Sequence, residues 1–236
     1  MNNREEKIKN DAIVFAKKHK KEIANKITDL LSCPSNTYPI SVFMAGSPGA
    51  GKTEFSKRLL ESIDPNRKVA RIDPDDLRSY LPEYTGTNSY LFQGAISIIT
   101  DRVLDNLFHQ KQNFILDGTC SHYGPAEKNI KRSIEHERFT FLFFVYQNPK
   151  TAWLVTKKRE QQEGRNISKD IFIEEFLAAQ EVVEKLKNTF KEKIFLYFVD
   201  KEASQETVDI YTTNSVYTHL PKVFTKNELH SILKEL

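Results

Sequence analysis

At 236 residues the chain is long enough for one sizeable α/β domain, with room for a small appendage. With 39% hydrophobic and 28% charged residues it reads as globular rather than disordered. Its net charge of +3 sits wholly in residues 1–31, which hold eight Lys/Arg against five Asp/Glu, and the remainder balances at 27 against 27, so no basic groove for nucleic acid is indicated in the main body.

The longest apolar stretch, FLFFVY (141–146), is far below the length of a membrane span. The N-terminus lacks the apolar core of a signal peptide. Cys33 and Cys120 form neither a disulfide framework nor a metal cluster. These features lead to the expectation of a cytoplasmic protein without a membrane partner.

Taken in chain order, Ile8, Ala12, Phe15, Ala16, Ile23, Ile27, Leu30 and Leu31 recur at helical spacing, which predicts an amphipathic helix over about 4–31. Its lysines read as a solvated face, or else as a docking surface for a partner. ISVFMA (40–45) is a buried-type strand, followed by a glycine-rich loop and a helix to about Ser62. KVARID (68–73) is a second strand, and a long helix is expected over about 87–111. NFILDG (113–118) is a strand, GPAEKNIKRSIEHE a helix, and FTFLFFVY (139–146) another strand. Two helical stretches follow at about 149–162 and 169–189, then strands at 194–199 and near 208–212. Thr225 and Glu228 stand at capping-box spacing ahead of a final helix. The alternation predicts a three-layer α/β fold with a mostly parallel central sheet covered on both faces. Residues 1–37 are expected to be a helix and linker, and 38–236 a P-loop domain ending in less regular strands and a helix over 190–236.

Four constellations carry chemistry. Gly46, Ser47, Pro48, Gly49, Ala50, Gly51, Lys52 and Thr53 fit G-x-x-x-x-G-K-[ST] between a predicted strand and a predicted helix. Glycines let main-chain N–H groups curl around phosphate oxygens, and the helix N-terminus adds partial positive charge. Lys52 would reach the β- and γ-phosphates of ATP or GTP, and the Thr53 hydroxyl would bind Mg²⁺. In FILDGT, Asp117 ends a strand in the Walker-B manner, able to hold Mg²⁺ directly or through water.

RIDPDDLR places Asp73, Asp75 and Asp76, with Arg78, at the end of the second strand, where an open α/β sheet faces its crevice. One of these acids would take the proton from a substrate hydroxyl, although Asp73 or Asp75 would also serve as a helix N-cap. In KKREQQEGRNIS, Arg159 and Arg165 flank a helix end and would fold over the phosphates, or else form an ordinary surface tail. His122, close behind FILDGT, would touch substrate or sit in a surface loop.

Together, GSPGAGKT, RIDPDDLR, FILDGT and REQQEGRNIS, in that order over about 38–190, resemble the zeta-toxin family of P-loop kinases. Family members phosphorylate a sugar hydroxyl of UDP-activated sugars, typically UDP-N-acetylglucosamine, with ATP or GTP and Mg²⁺, and a small antitoxin protein often blocks the nucleotide site. The resemblance implies that Lys52 and Thr53 serve nucleotide and metal, that Asp75 is the base, and that Arg159 and Arg165 bind phosphate. Asp73, Asp76, Arg78, Asp117, Thr119 and His122 would then line the acceptor side. Asp117 and Thr119 match an acid-Gly-Thr turn that the family usually writes with Glu, so Asp117 reaches one methylene less far. Two other readings stay open: a kinase of a polynucleotide 5′-hydroxyl or another small molecule, and a non-catalytic nucleotide switch. No Asn-Lys-x-Asp or Leu-Ser-Gly-Gly-Gln stretch is present, which disfavours a regulatory GTPase and an ABC-type ATPase.

Overall fold

Every other side chain of β1 (Ile40–Ala45) is sent to the same face of the sheet, and both faces are covered. Phe43 and Ala45 join one apolar cluster, whereas Val42 and Met44 join a second on the opposite face. The computed structural model describes residues 2–64, 68–118, 120–163, 167–201 and 208–234. Its six-stranded sheet has the order β2-β3-β1-β4-β5-β6, with β2 at Ala70–Ile72, β3 at Phe114–Asp117, β4 at Phe139–Tyr146, β5 at Phe195–Asp200 and β6 at Asp209–Thr213. The first five strands run parallel, and only β6 is antiparallel to its neighbour.

The helices are α1 (Asn3–Ile27), α2 (Lys52–Ile63), α3 (Gln93–His109), α4 (Tyr123–Glu135), α5 (Pro149–Glu163), α6 (Lys169–Phe190) and α7 (Lys226–Ile232). The larger cluster takes Leu142, Phe144, Leu196 and Phe198 from the sheet, and Ile99, Val103, Phe172 and Phe176 from α3 and α6. Each fully buried phenylalanine such as Phe114 or Phe198 contributes about 1.5–3 kcal/mol of burial. On the other face, α2 lays Phe55 against Phe143 with ring centroids 5.6 Å apart.

Three boundaries differ from the periodicity. α1 stops at Ile27, because Thr28 closes the helix with its hydroxyl on the Ala24 carbonyl (2.8 Å), so Leu30 and Leu31 lie beyond it and are exposed. β2 is shorter than KVARID, since Asp73 and Pro74 turn the chain and Pro cannot donate to the ladder. A 3₁₀ turn over Ser89–Phe92 precedes α3, which begins at Gln93. Through Ala12, Ala16, Ile23 and Ala24, α1 packs into the same cluster as α3. At the strands' N-terminal end, buried Arg138 bonds Ser41 Oγ (2.6 Å) and the Ile40 carbonyl (2.8 Å), and burial pulls its pKa down to about 10. Among the described residues no helix is long and apolar enough to cross a membrane.

Candidate active site

β1 is flanked by β3 on one side and β4 on the other, so the loop leaving it opens at the sheet's centre, where the chain's strand order reverses. That loop is the glycine-rich segment. Gly46, Gly49 and Gly51 have φ of 140°, 71° and 86°, a region that side-chain-bearing residues avoid. The bare Cα atoms are also needed for space. A Cβ on Gly46 would lie 2.4 Å from the Val145 carbonyl oxygen, and one on Gly49 would lie 2.0 Å from that of Ala152 in α5. The loop is therefore pressed between the ends of β4 and α5 and curls over the start of α2, with Gly51 as N-cap in the left-handed region. This cradle, with the free N–H groups of the first turn of α2, fits a nucleotide's phosphate chain.

Lys52 folds back on that loop, donating to the carbonyls of Gly46 (3.0 Å) and Ser47 (2.8 Å). Desolvation lowers its pKa, opposed by the charges of Asp117, Glu175 and Asp75 and reinforced by that of Arg159. The charges of these four groups thus act on Lys52 at the loop. Thr53 follows in the first turn of α2, with its side chain half-buried.

The acids are organised by a residue to which the motif reading assigned no role, the first of RIDPDDLR. Arg71, in the middle of β2, donates from Nη2 to Asp73 Oδ2 (2.8 Å) and Asp117 Oδ2 (2.5 Å), from Nη1 to Asp76 Oδ2 (3.3 Å), and from Nε to Ser56 Oγ (3.0 Å). Ser56 in turn donates to Asp117 Oδ2 (2.9 Å). Burial pulls the Arg71 guanidinium down, but Asp117 and Asp73 outweigh it and hold its pKa above the usual value. Asp73 is pushed up, first by burial and then by the charges of Asp117, Asp75 and Asp76, although the Asp75 N–H it accepts opposes this.

Asp75 makes no side-chain capping bond to the 3₁₀ turn it precedes; Asp73 Oδ1 instead accepts the Asp75 N–H (2.9 Å). The Asp75 carboxylate is about half exposed and pairs with the guanidinium of Arg78, which is almost wholly buried. Buried Arg78 thus orients a half-exposed acid just beyond the end of β2.

On the far side of the loop, Arg159 from α5 bonds Glu54 Oε1 at 2.5 Å. Lys201, the first residue after β5, lies against Gly51. His122 stays exposed at the N-cap of α4, and among the described residues no hydrogen bond joins its side chain to the acids. Cys120 is pushed up to about 12 by burial, so it stays a protonated thiol. Thr119 and Arg165 lie outside the described residues. Arg71 stands inside RIDPDDLR but carries no role in the motif reading, and Ser56, Glu54, Glu175 and Lys201 lie outside the four stretches altogether. Arg71 alone had a signal: in a strand it shares a face with Asp73, two residues on.

The comparisons bear on the family and the fold. The family model for zeta toxin matches residues 24–215. The fold is similar to that of a structure from the PezAT chromosomal toxin–antitoxin system of the human pathogen Streptococcus pneumoniae, at 16% identity and a TM-score of 0.65, over 91% of this chain and 92% of that one. It is also similar to AvrRxo1-ORF1:AvrRxo1-ORF2 with sulphate ions (13% identity, TM-score 0.59, 91% of this chain and 70% of that one). The same pair with ATP gives 13% identity and a TM-score of 0.56, over 89% and 65%. At such identities the likeness speaks for the fold. Among curated proteins none matches the sequence. With the family model spanning most of the chain and a glycine cradle at the centre of the sheet, the chain belongs to the zeta-toxin family of P-loop phosphotransferases.

Proposed function

We propose that the protein transfers the γ-phosphoryl group of ATP or GTP to a hydroxyl of a UDP-activated sugar, UDP-N-acetylglucosamine being the typical acceptor of the family it belongs to. The observation that carries this reading is the pairing of Asp75 with buried Arg78, close enough to Lys52 for its charge to be felt there. A half-exposed carboxylate oriented by a buried guanidinium suits a general base.

In this scheme the loop N–H groups and Lys52 bind the phosphate chain, and Lys52 exchanges its two carbonyl contacts for phosphate oxygens. Asp75 accepts the proton of the acceptor hydroxyl as its oxygen bonds to the γ-phosphorus. The bond from that phosphorus to the β,γ-bridging oxygen breaks, and the nucleoside diphosphate leaves. Arg159 and Arg165 neutralise charge spread over the transferred group, a contribution on the order of 10³–10⁵ in rate for such an arginine. Mg²⁺, when bound, neutralises charge on the β- and γ-phosphates. Thr53 Oγ1 and Asp117 Oδ1 would be the protein oxygens nearest that task, since Asp117 Oδ2 is held by Arg71 and Ser56. Asp73, Asp76, Asp117, Thr119 and His122 would line the acceptor side. A small antitoxin protein covering the nucleotide mouth is the proposed partner, and the cytoplasm the proposed setting.

Incubation with radiolabelled ATP, Mg²⁺ and separate UDP-sugars, nucleosides and 5′-hydroxyl oligonucleotides tests the reading. Label on a UDP-sugar is expected. Label only in free phosphate overturns the kinase reading, and label on the oligonucleotide replaces the acceptor.

A further inference from the structure

Two cations approach the phosphate loop from outside the motif that defines it. Arg159 comes from α5 and is held by Glu54 at 2.5 Å. Lys201 comes from the end of β5, where its N–H donates to the Tyr146 carbonyl (3.3 Å) at the end of β4. Its side chain then crosses to the loop. A Cβ built on Gly51 would sit 2.1 Å from Lys201 Nζ and 3.1 Å from its Cδ and Cε, so the ammonium fills the place a side chain at residue 51 would take.

That is an unfavourable spot for a cation in isolation. Gly51 is the N-cap of α2, and the partial positive charge of a helix N-terminus disfavours a nearby cation. Two cations are nevertheless gathered there, and the anion among them is Glu54, in the first turn of α2. Burial pushes the Glu54 carboxyl up, but its backbone hydrogen bond and the charges of Arg159 and Lys201 hold it below the usual range. This carboxylate therefore pairs with Arg159 and feels the charge of Lys201 at a helix end shaped for phosphate.

We infer that Lys201 is a second nucleotide-binding lysine, which closes with Arg159 on the phosphate chain of the bound nucleotide, and that Glu54 is the counter-ion holding both cations ready beforehand. This rests on the proposed nucleotide function and adds to it the side chains that grip the phosphates from beyond the loop. It also gives Glu54 a definite role, that of an anion displaced by the ligand's own charge.

Calorimetric titration with a non-hydrolysable ATP analogue and Mg²⁺ tests the inference. Lys201→Met is expected to weaken binding about tenfold, as for loss of one hydrogen bond to a charged group, and Lys201→Arg to restore most of it. Glu54→Gln, which removes the competing anion while keeping the side chain's shape, is expected to tighten binding about threefold. A merely structural lysine or glutamate would not produce opposite signs. Unchanged affinity in Lys201→Met overturns the lysine's role, and unchanged or weaker binding in Glu54→Gln overturns the counter-ion's. Absence of binding by the unaltered protein overturns the nucleotide reading itself, which keeps the two failures apart.

Discussion

Arg71 Nη2 lies 2.5 Å from Asp117 Oδ2 and ties the end of β3 to the middle of its neighbour β2. The Asp117 side chain is only 2% exposed, so Arg71 and Ser56, rather than bulk water, satisfy its Oδ2. Arg71→Met is expected to destabilise the fold by about 3–5 kcal/mol, the range for breaking a buried pair. Adding Asp117→Leu removes the orphaned charge and is expected to recover much of that loss. Denaturant titration of the two single variants and the double variant measures the coupling; additive losses would mean that the pair contributes nothing as a pair.

Asp75→Asn keeps an oxygen for Arg78 but cannot take a proton. Turnover is expected to fall by about 10²–10⁴ while nucleotide affinity stays near that of the unaltered protein. Turnover equal to that of the parent would leave Asp75 as an orienting partner of Arg78 and move the base elsewhere among the acids.

Gly49→Ala places a Cβ 2.0 Å from the Ala152 carbonyl oxygen and 2.7 Å from Thr156 Oγ1, at a φ of 71°. The Ala152 carbonyl is helix backbone and leaves little room to yield. A strain of about 1–3 kcal/mol is expected, with nucleotide affinity reduced at least about tenfold. Gly124→Ala in α4, where nothing lies within 4 Å, is the contrast, with an expected gain of about 0.5–1 kcal/mol. Thermal unfolding and nucleotide titration of both variants check the pair.

Glu228 closes the capping box of α7, accepting the Thr225 N–H at 2.8 Å, and this bond, with Lys222 and the Thr225 hydroxyl, lowers its pKa from 4.5 to about 2. The folded state therefore holds this carboxylate ionised more strongly than the unfolded chain does. Its stabilisation is complete above about pH 4.5 and is lost as pH falls toward about 2. Hydrogen-exchange protection factors of α7, taken relative to intrinsic rates at each pH, should fall across that window, and Glu228→Ala should flatten the response.

Where local pattern carries the information, the chain was legible. The apolar, β-branched and aromatic runs of β1, β4 and β5, the glycines of the phosphate loop and the Thr225–Glu228 cap each act within a few positions, so composition and spacing predicted them. The short β2 and the early end of α1 were less visible, because single side-chain and proline contacts ended elements whose periodicity ran on. Asp73, Asp75 and Asp76 were evident as a cluster, yet their partners were not. Arg78 binds Asp75 three residues away, whereas Arg71 gathers Asp117 from 46 residues away.

What the sequence by itself determined is a phosphate-binding loop between strand and helix in an alternating α/β chain, since glycine spacing and hydrophobic period act locally. Only the tertiary structure decided which charges meet. Arg71 with Asp117, Arg159 with Glu54 and Lys201 with Gly51 are brought together by strand order and by the helix crossing each strand end. Coulomb energy depends on distance through space, and distance along the chain says little about it.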